Sequence, residues 1–185
     1  MKLSANSLLL IPTYNEALNI ETLIKEIRST FPTLQILVID DNSSDGTAEI
    51  INQLMASDYK IELLSRPKKT GLGNAYRAGF AWGLGRSFEY FIEMDADHSH
   101  RVFDLEKLLG QADKYDLTIG SRWVKGGQIM GWARHREILS KFGSGYSRIL
   151  LGLKVRDCTS GFRVFSRRAV ESIEFKDIES NGYGF

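Results

Sequence analysis

The chain has 185 residues, of which 43% are hydrophobic and 25% are charged, and its formal net charge is +1. These proportions are those of an ordinary globular protein and exclude a disordered or fibrous chain. Cys158 is the only cysteine, which excludes an internal disulfide and favours a reducing, cytoplasmic setting.

Short aliphatic runs alternate with segments of helical periodicity from residue 8 to residue 120. In chain order, the pattern predicts strand 8–12, helix 20–31, strand 36–39, a helix through 50–54 capped by Ser44 or Asp45, strand 61–64, helix 74–84, strand 90–94, helix 105–114 and strand 117–120. This alternation predicts an α/β fold in which helices cover both faces of a mainly parallel sheet. We expect one domain spanning residues 1–185.

The pattern loosens after residue 120. Gly126 and Gly127 predict a loop, and the apolar spacing over 138–153 predicts an amphipathic helix that packs on the core or rests on an anionic lipid surface. The segment 121–156 has eight basic residues and one acid, which favours an anionic partner over a merely solvated face. The last residues, 183–185, form no polar tail, so we expect a domain truncated at its C-terminal end.

Two carboxylates follow the predicted strand 90–94. Asp95 and Asp97 are separated by one residue, so both can turn toward one cation where the chain leaves the strand. Oxygen ligands favour Mg²⁺ or Mn²⁺. A capped loop is the alternative interpretation of this pair. A second acidic cluster, Asp40, Asp41 and Asp45, follows another strand and can accept hydrogen bonds from a base or a ribose. Its alternative is an N-capped turn.

A basic, glycine-rich loop precedes the predicted helix 74–84. Lys68, Lys69, Gly71 and Gly73 place cations and backbone N–H groups where a phosphate could bind. The spacing is neither that of a Walker loop nor that of a dinucleotide-binding loop. No set of His and Cys residues completes a zinc site, so we interpret His98 and His100 as surface residues or as supports of the aspartates.

Motifs spread over almost the whole chain carry a resemblance to a known family. They are Pro12-Thr13-Tyr14-Asn15-Glu16, Asp40-Asp41-Asn42-Ser43-Ser44-Asp45-Gly46-Thr47, Gly71-Leu72-Gly73, Met94-Asp95-Ala96-Asp97, Gly120-Ser121-Arg122, Trp132 with Arg136 and Ser140, and Asp157-Cys158-Thr159-Ser160-Gly161-Phe162-Arg163. On these residues the chain resembles the inverting family 2 glycosyltransferases, and within them the dolichol-phosphate (polyprenol-phosphate) mannose synthases. The resemblance implies a Rossmann-like domain of the GT-A type.

The resemblance also assigns roles to residues. It implies that the donor is held by Pro12, Tyr14, Glu16, Val38, Asp40, Asp95, Ala96, Asp97 and Arg122. Asp95 and Asp97 would bind the metal, Mg²⁺ or Mn²⁺, with Ser99 at the position of a third ligand. Arg122, Arg136 and Ser140 would receive the acceptor phosphate. Asp97, Arg122 and Asp157 are the predicted catalytic residues. Asp157 would act as a base if the acceptor is a hydroxyl, and a turn carboxylate is its alternative interpretation.

The implied reaction moves a hexose from a nucleotide diphosphate sugar to a polyprenyl or dolichyl phosphate with inversion. GDP-mannose is the expected donor and UDP-glucose the alternative; we expect contact with the cytoplasmic face of a membrane and no nucleic acid partner. Departures from the family pattern lie at His98, Val102, Ser144 and Cys158, and Ser99 is a weak metal ligand. The alternatives are a saccharide or protein acceptor, a nucleotidyltransferase, and a non-catalytic nucleotide-sugar binding module.

Overall fold

A computed structural model describes residues 2–124 and 157–173. Its elements are α1 (Lys2–Ala5), β1 (Ser7–Thr13), α2 (Ile20–Thr30), β2 (Gln35–Asp40), α3 (Thr47–Ser57), β3 (Ile61–Ser65), α4 (Leu72–Leu84), β4 (Tyr90–Glu93), α5 (Val102–Leu109), β5 (Leu117–Ile119), β6 (Arg163–Ser166) and α6 (Arg167–Ser172). The predicted loop at 126–127 and the predicted helix over 138–153 lie outside the described residues.

The strands form one sheet in the order β3-β2-β1-β4-β6-β5. β1 pairs in parallel with β2 and β4, and β2 pairs in parallel with β3. β6 runs antiparallel to both β4 and β5. The prediction of a mainly parallel sheet is confirmed, and β6 and α6 are additions that the sequence pattern did not predict. Because β6 is reversed, the residues that precede it lie at the edge where the parallel strands end.

The two faces of the sheet carry separate apolar clusters, as the prediction of helices on both faces requires. Side chains alternate along a strand, so Leu9 and Ile11 pack with α2, α3 and α5, while Leu8 and Leu10 pack with α4 and α6. Helix α4 lies close to the sheet at Gly83, where an added Cβ would lie 2.5 Å from the Phe91 ring. Burial on both faces explains why these strands read as continuous aliphatic runs.

Helices α4 and α5 differ from their predicted bounds by two residues or more, and the N-cap of α3 also differs from the prediction. Helix α5 begins three residues earlier than predicted and ends at Leu109, and the residues that follow it form turns. Helix α4 begins two residues early, at Leu72. The predicted N-cap of α3 was wrong: the cap is Gly46 in the left-handed region with φ 95°. Asp45 contributes from the preceding position, because its Oδ1 accepts from the Thr47 N–H at 3.1 Å.

No helix within residues 2–124 and 157–173 has the length and apolar character needed to cross a bilayer.

Candidate active site

A cleft of about 440 Å³ opens at the edge where β1, β2 and β4 end. Ligands of parallel α/β sheets bind at this edge because the loops that leave the strands meet there. The cleft is lined by Pro12, Thr13, Tyr14, Glu16, Asp41, Lys69, Gly71, Leu72, Ala75, Asp95, Ala96 and Asp97. The structure therefore brings together most of the predicted donor-binding residues.

One end of the cleft combines an aromatic ring with a cation. The Nζ of Lys69 lies 4.0 Å from the centroid of the Tyr14 ring, which is partly exposed. Pro12, Leu72 and Ala75 add apolar lining to the same cleft. A flat, partly apolar surface next to a lysine suits a base and the phosphate attached to its ribose. The basic loop predicted to meet phosphate therefore reaches the cleft through Lys69.

Asp41 is the acidic residue that the loop after β2 contributes to the cleft. Its Oδ1 accepts from the Arg66 Nη1 at 2.7 Å, and the backbone N–H of Thr70 donates to its Oδ2 at 3.4 Å. Burial raises the pKa of Asp41, although Arg66 opposes this effect. The carboxylate is thus a fixed acceptor at the wall of the cleft.

Three predicted donor-binding residues, Val38, Asp40 and Arg122, do not line the cleft. The Asp40 carboxylate is buried and accepts from the Thr13 hydroxyl at 2.9 Å and from the Ser43 backbone N–H at 2.9 Å. Val38 is in the middle of β2 and its side chain is part of the apolar core. Asp40 therefore fastens the end of β2 to β1, and its neighbour Asp41 faces the cleft.

The loops after β1 and β2 are fastened to each other. Asn15 and Asn42 both adopt positive φ, 61° and 62°, a conformation that asparagine tolerates better than most residues. The Asn15 N–H donates to the Ser43 Oγ at 2.8 Å, and the Ser44 N–H donates to the Asn15 Oδ1 at 2.9 Å. These contacts fix the backbone on which Tyr14 and Asp41 are carried.

Asp95 and Asp97 lie together in the cleft, beyond the end of β4. Within the described residues, the Oδ1 of Asp97 accepts two hydrogen bonds, one from the backbone N–H of Ser99 at 2.9 Å and one from the Ser99 hydroxyl. The hydroxyl of Ser99 is therefore turned toward Asp97. Asp95 accepts hydrogen bonds on both carboxylate oxygens. The Tyr76 hydroxyl lies 3.4 Å from Oδ1, and the Nε2 of the His100 ring lies 3.2 Å from Oδ2.

This donor set fits a hard divalent cation. Each carboxylate oxygen has two lone pairs, so the hydrogen bonds above leave acceptor capacity on both aspartates. Within residues 2–124 and 157–173, no group of three acidic, histidine or cysteine side chains forms a complete metal cage. Mg²⁺ and Mn²⁺ commonly bind with one or two carboxylates and take their other ligands from substrate phosphates and water.

The partly exposed Arg122, which follows β5, pairs with the buried Asp157, which precedes β6. Their side chains meet through two contacts, Nε to Oδ2 at 2.7 Å and Nη2 to Oδ1 at 2.8 Å. Asp157 also accepts from the backbone N–H of Arg122 at 3.1 Å and from the N–H and hydroxyl of Thr159. Burial alone would raise the pKa of Asp157, but the bonds from Arg122 and Thr159 outweigh it and hold that pKa below its ordinary value.

We expect Asp157→Asn to destabilise the fold by about 1–3 kcal/mol at neutral pH, because it weakens the bonds to Arg122. A depressed carboxyl pKa contributes stability above the unfolded-state pKa of about 3.9, and this stability is lost as the pH falls through the folded-state value. The difference in the free energy of unfolding between Asp157→Asn and the unmodified chain should therefore shrink below about pH 4. Urea unfolding from pH 7 to pH 3 measures it, with Asp113→Asn as the exposed control. A difference that stays constant with pH would contradict this account of Asp157.

Several residues around the aspartates carried no assigned role in the sequence. Tyr76 and Gly161 contact Asp95 from α4 and from the turn before β6. In the sequence, only their positions pointed to the site: Tyr76 is one helical turn after Leu72, and Gly161 belongs to one of the motifs quoted above. Of the two histidines, His100 contacts Asp95, whereas His98 lies 4.0 Å from Glu26 on α2. The predicted acceptor residues Arg136 and Ser140 lie outside the described residues.

Comparison with known proteins identifies the family. Residues 8–174 match the model of "Glycosyl transferase family 2". The chain belongs to this family. The glycosyltransferase class predicted from the sequence is therefore confirmed.

Three curated relatives share substantial identity with this family 2 chain. The polyprenol monophosphomannose synthase of Mycolicibacterium smegmatis is 42% identical, over 97% of this chain and 68% of the relative. The undecaprenyl-phosphate mannosyltransferase of Micrococcus luteus is 43% identical, over 96% of this chain and 73% of the relative. The dolichol-phosphate mannosyltransferase of Pyrococcus furiosus is 38% identical, over 91% of this chain and 48% of the relative.

Solved structures of glycosyltransferases share the fold. The glucosyl-3-phosphoglycerate synthase of Mycobacterium tuberculosis, in complex with Mn²⁺, UDP-glucose and phosphoglyceric acid, superposes with a TM-score of 0.66 at 21% identity, over 88% of this chain and 57% of that chain. A mannosyltransferase from Pyrobaculum calidifontis, in complex with GDP-Man and Mn²⁺, gives a TM-score of 0.62 at 16% identity, over 96% of this chain and 50% of that chain. The predicted GT-A fold is confirmed.

Proposed function

We propose that this chain transfers mannose from GDP-mannose to a polyprenyl phosphate, with a divalent cation and with inversion at the anomeric carbon. The observation that carries the proposal is the position of Asp95 and Asp97 in the same cleft as Tyr14, Lys69 and Asp41. A nucleoside at the aromatic end would place its diphosphate at the carboxylate end. The names of the three curated relatives support a polyprenyl phosphate acceptor and a mannose donor.

The residues of the cleft would act mainly by binding and orientation. Tyr14 and Pro12 would pack on the base, Asp41 would accept a hydrogen bond from the base or ribose, and Lys69 would approach the phosphates. Asp95 and Asp97 would hold Mg²⁺ or Mn²⁺ against the diphosphate. Bound there, the cation would neutralise charge that develops on the leaving nucleotide diphosphate.

The environment of Asp157 bears on the nature of the acceptor. A hydroxyl acceptor needs a base that can take its proton, whereas a phosphate monoester is already largely ionised at neutral pH. Asp157 accepts five hydrogen bonds and its pKa is lowered, which makes it a poor base. We therefore infer that Asp157 orients Arg122, and that Arg122, with Arg136 and Ser140, receives the phosphate of the acceptor. This supports a phosphate acceptor over a saccharide or protein acceptor.

The test compares two lipids that differ only in the phosphate. The chain is incubated with radiolabelled GDP-mannose, Mn²⁺ and either undecaprenyl phosphate or undecaprenol. We expect labelled lipid only with the phosphate, and an anomeric configuration opposite to that of the donor. Transfer to undecaprenol or to a saccharide at a similar rate would contradict the proposed acceptor. Faster transfer from UDP-glucose would contradict the donor, and release of pyrophosphate from GTP plus mannose 1-phosphate would indicate a nucleotidyltransferase.

A further inference from the structure

We propose that His100 and Tyr76 are positioning residues that hold the Asp95 carboxylate in its metal-binding orientation, an inference that rests on the proposed function. The two side chains contact different oxygens of Asp95. The ring Nε2 of His100 lies 3.2 Å from Oδ2, and the hydroxyl of Tyr76 lies 3.4 Å from Oδ1. A carboxylate only accepts hydrogen bonds, so both partners act as donors. Together they define the plane of the carboxylate.

His100 is itself held by aromatic packing. Its ring stacks on Phe162, with centroids 4.9 Å apart and an angle of 15° between the planes. Phe162 is buried directly before β6, so the histidine is supported by a different part of the chain. His98 adopts a positive φ of 58°, which makes the sharp turn between Asp97 and His100. The side chain of His98 remains 36% exposed, compared with 14% for His100.

Tyr76 approaches Asp95 from the opposite side of the sheet edge. It is buried on the first turns of α4. A tyrosine hydroxyl keeps its proton at neutral pH, so Tyr76 can donate to the carboxylate of Asp95. Its ring belongs to the apolar cluster that anchors α4 on the sheet. The orientation of Asp95 is therefore tied to the packing of that helix.

Gly161 closes a third side of Asp95. A Cβ at this position would lie 3.2 Å from Oδ2 and 3.6 Å from Oδ1 of the carboxylate. The backbone of the turn before β6 therefore packs directly against Asp95, and a side chain at Gly161 would press on it. Within the part of the chain that the structure describes, the hydrogen bonds that Asp97 accepts come from Ser99, two residues away. Asp95 is thus oriented by tertiary contacts, and Asp97 by its own turn.

Groups that hold a metal-ligating side chain increase metal affinity because the ligand need not be ordered when the metal binds, and removing one typically lowers affinity 10–100-fold. His100→Phe keeps a ring to stack on Phe162 but removes the donor. We expect it to weaken Mn²⁺ binding in the presence of GDP by about 10-fold or more. Tyr76→Phe removes one long hydrogen bond, and we expect a loss of about two- to tenfold. His100→Gln can restore a donor and should bind more tightly than His100→Phe.

Titration calorimetry with Mn²⁺ and GDP, together with metal-free thermal unfolding, tests the inference. Tyr115→Phe makes the same change as Tyr76→Phe at an exposed side chain that does not bond to Asp95, and it should bind Mn²⁺ like the unmodified chain. Loss of affinity in His100→Phe and Tyr76→Phe, with partial recovery in His100→Gln, supports the positioning role. If His100→Phe unfolds, Tyr76→Phe still decides the question, because it removes a donor to Asp95 without replacing it.

The outcomes separate this inference from the proposed function. Unchanged Mn²⁺ affinity in folded His100→Phe or, if that variant unfolds, in Tyr76→Phe, combined with loss of binding in Asp95→Asn, overturns the positioning role and leaves the metal site intact. Absence of Mn²⁺ binding by the unmodified chain with GDP overturns the metal site of the proposed function, and the inference falls with it.

Discussion

An Asp97→Asn variant is expected to lose sugar transfer by about 10³-fold while it keeps its fold. A metal ion contributes several kcal/mol of stabilisation to charge developing in a transition state, and each 1.36 kcal/mol corresponds to a factor of ten in rate. Asparagine retains an oxygen that can accept from Ser99, as the Oδ1 of Asp97 does, so the turn should survive. The substitution therefore removes charge and metal affinity with little change in local backbone structure.

Transfer from GDP-mannose to undecaprenyl phosphate measures the effect, over a range of Mn²⁺ concentrations. Asp113→Asn provides the matched control, because Asp113 is an exposed carboxylate outside the cleft. The control should transfer at the unmodified rate. If Asp97→Asn retained full activity at limiting Mn²⁺, the assignment of the metal to Asp97 would be wrong.

The second large effect concerns the stability of the sheet beneath the cleft. Glu93 and Arg163 are paired residues on β4 and β6, and the Arg163 Nη1 lies 3.5 Å from the Glu93 Oε2. The side chain of Glu93 is 1% exposed, and its Oε1 has no hydrogen-bond partner within the described part of the chain. Burial raises the pKa of Glu93 to about 7 even though Arg163 opposes this. The charged form of Glu93 therefore depends strongly on Arg163, the cation that the described residues place beside it.

We expect Arg163→Met to lower the free energy of unfolding by about 3–5 kcal/mol at pH 8, where Glu93 is ionised, because a buried charge is left without its partner. The variant also loses the bond from the Arg163 Nε to the carbonyl oxygen of Ser160, at 2.8 Å, which holds the turn next to Asp95. Urea unfolding at pH 8 measures the difference.

Two further variants make this test specific. The double variant Glu93→Leu with Arg163→Met removes both charges and should recover most of the lost stability, since apolar replacements of buried ion pairs are often well tolerated. Arg168→Met is the exposed control: its side chain is 83% exposed and pairs with Asp116 at the surface, so we expect a change of about 0.5 kcal/mol or less. If Arg163→Met were as stable as Arg168→Met, the proposed role of the Glu93–Arg163 pair would be wrong.

The order and type of most elements could be predicted from local patterns. Short apolar runs separated by helical periodicity marked β1 to β5 and α2 to α5. The central strands β1 and β2 are buried on both faces and are therefore apolar at successive positions. The elements that escaped prediction are short or reversed. α1, β6 and α6 have four to six residues each, too few to establish a period.

The site was predictable in outline for a related reason. Asp95 and Asp97 could be placed in the cleft because a strand end and its following loop are consecutive in sequence. The same reasoning could not tell which of the two adjacent carboxylates, Asp40 or Asp41, lines the cleft. Adjacent residues at a strand end point in different directions, and only contacts with Thr13 and Ser43 make Asp40 a buried anchor. Donor-binding roles for Val38, Asp40 and the acceptor residues remain predictions.

The sequence by itself determined the family, the α/β class and the two aspartates at the end of β4, because each depends on short segments or on motifs that are read directly. Tertiary structure alone decided which groups surround those aspartates. Arg122 meets Asp157 across 35 positions, and Asp95 meets Tyr76 across 19. Such contacts depend on how helices and strands pack against each other. The local spacing of apolar residues does not show which residues so far apart in sequence will meet. The same packing made His100, and not His98, the neighbour of Asp95.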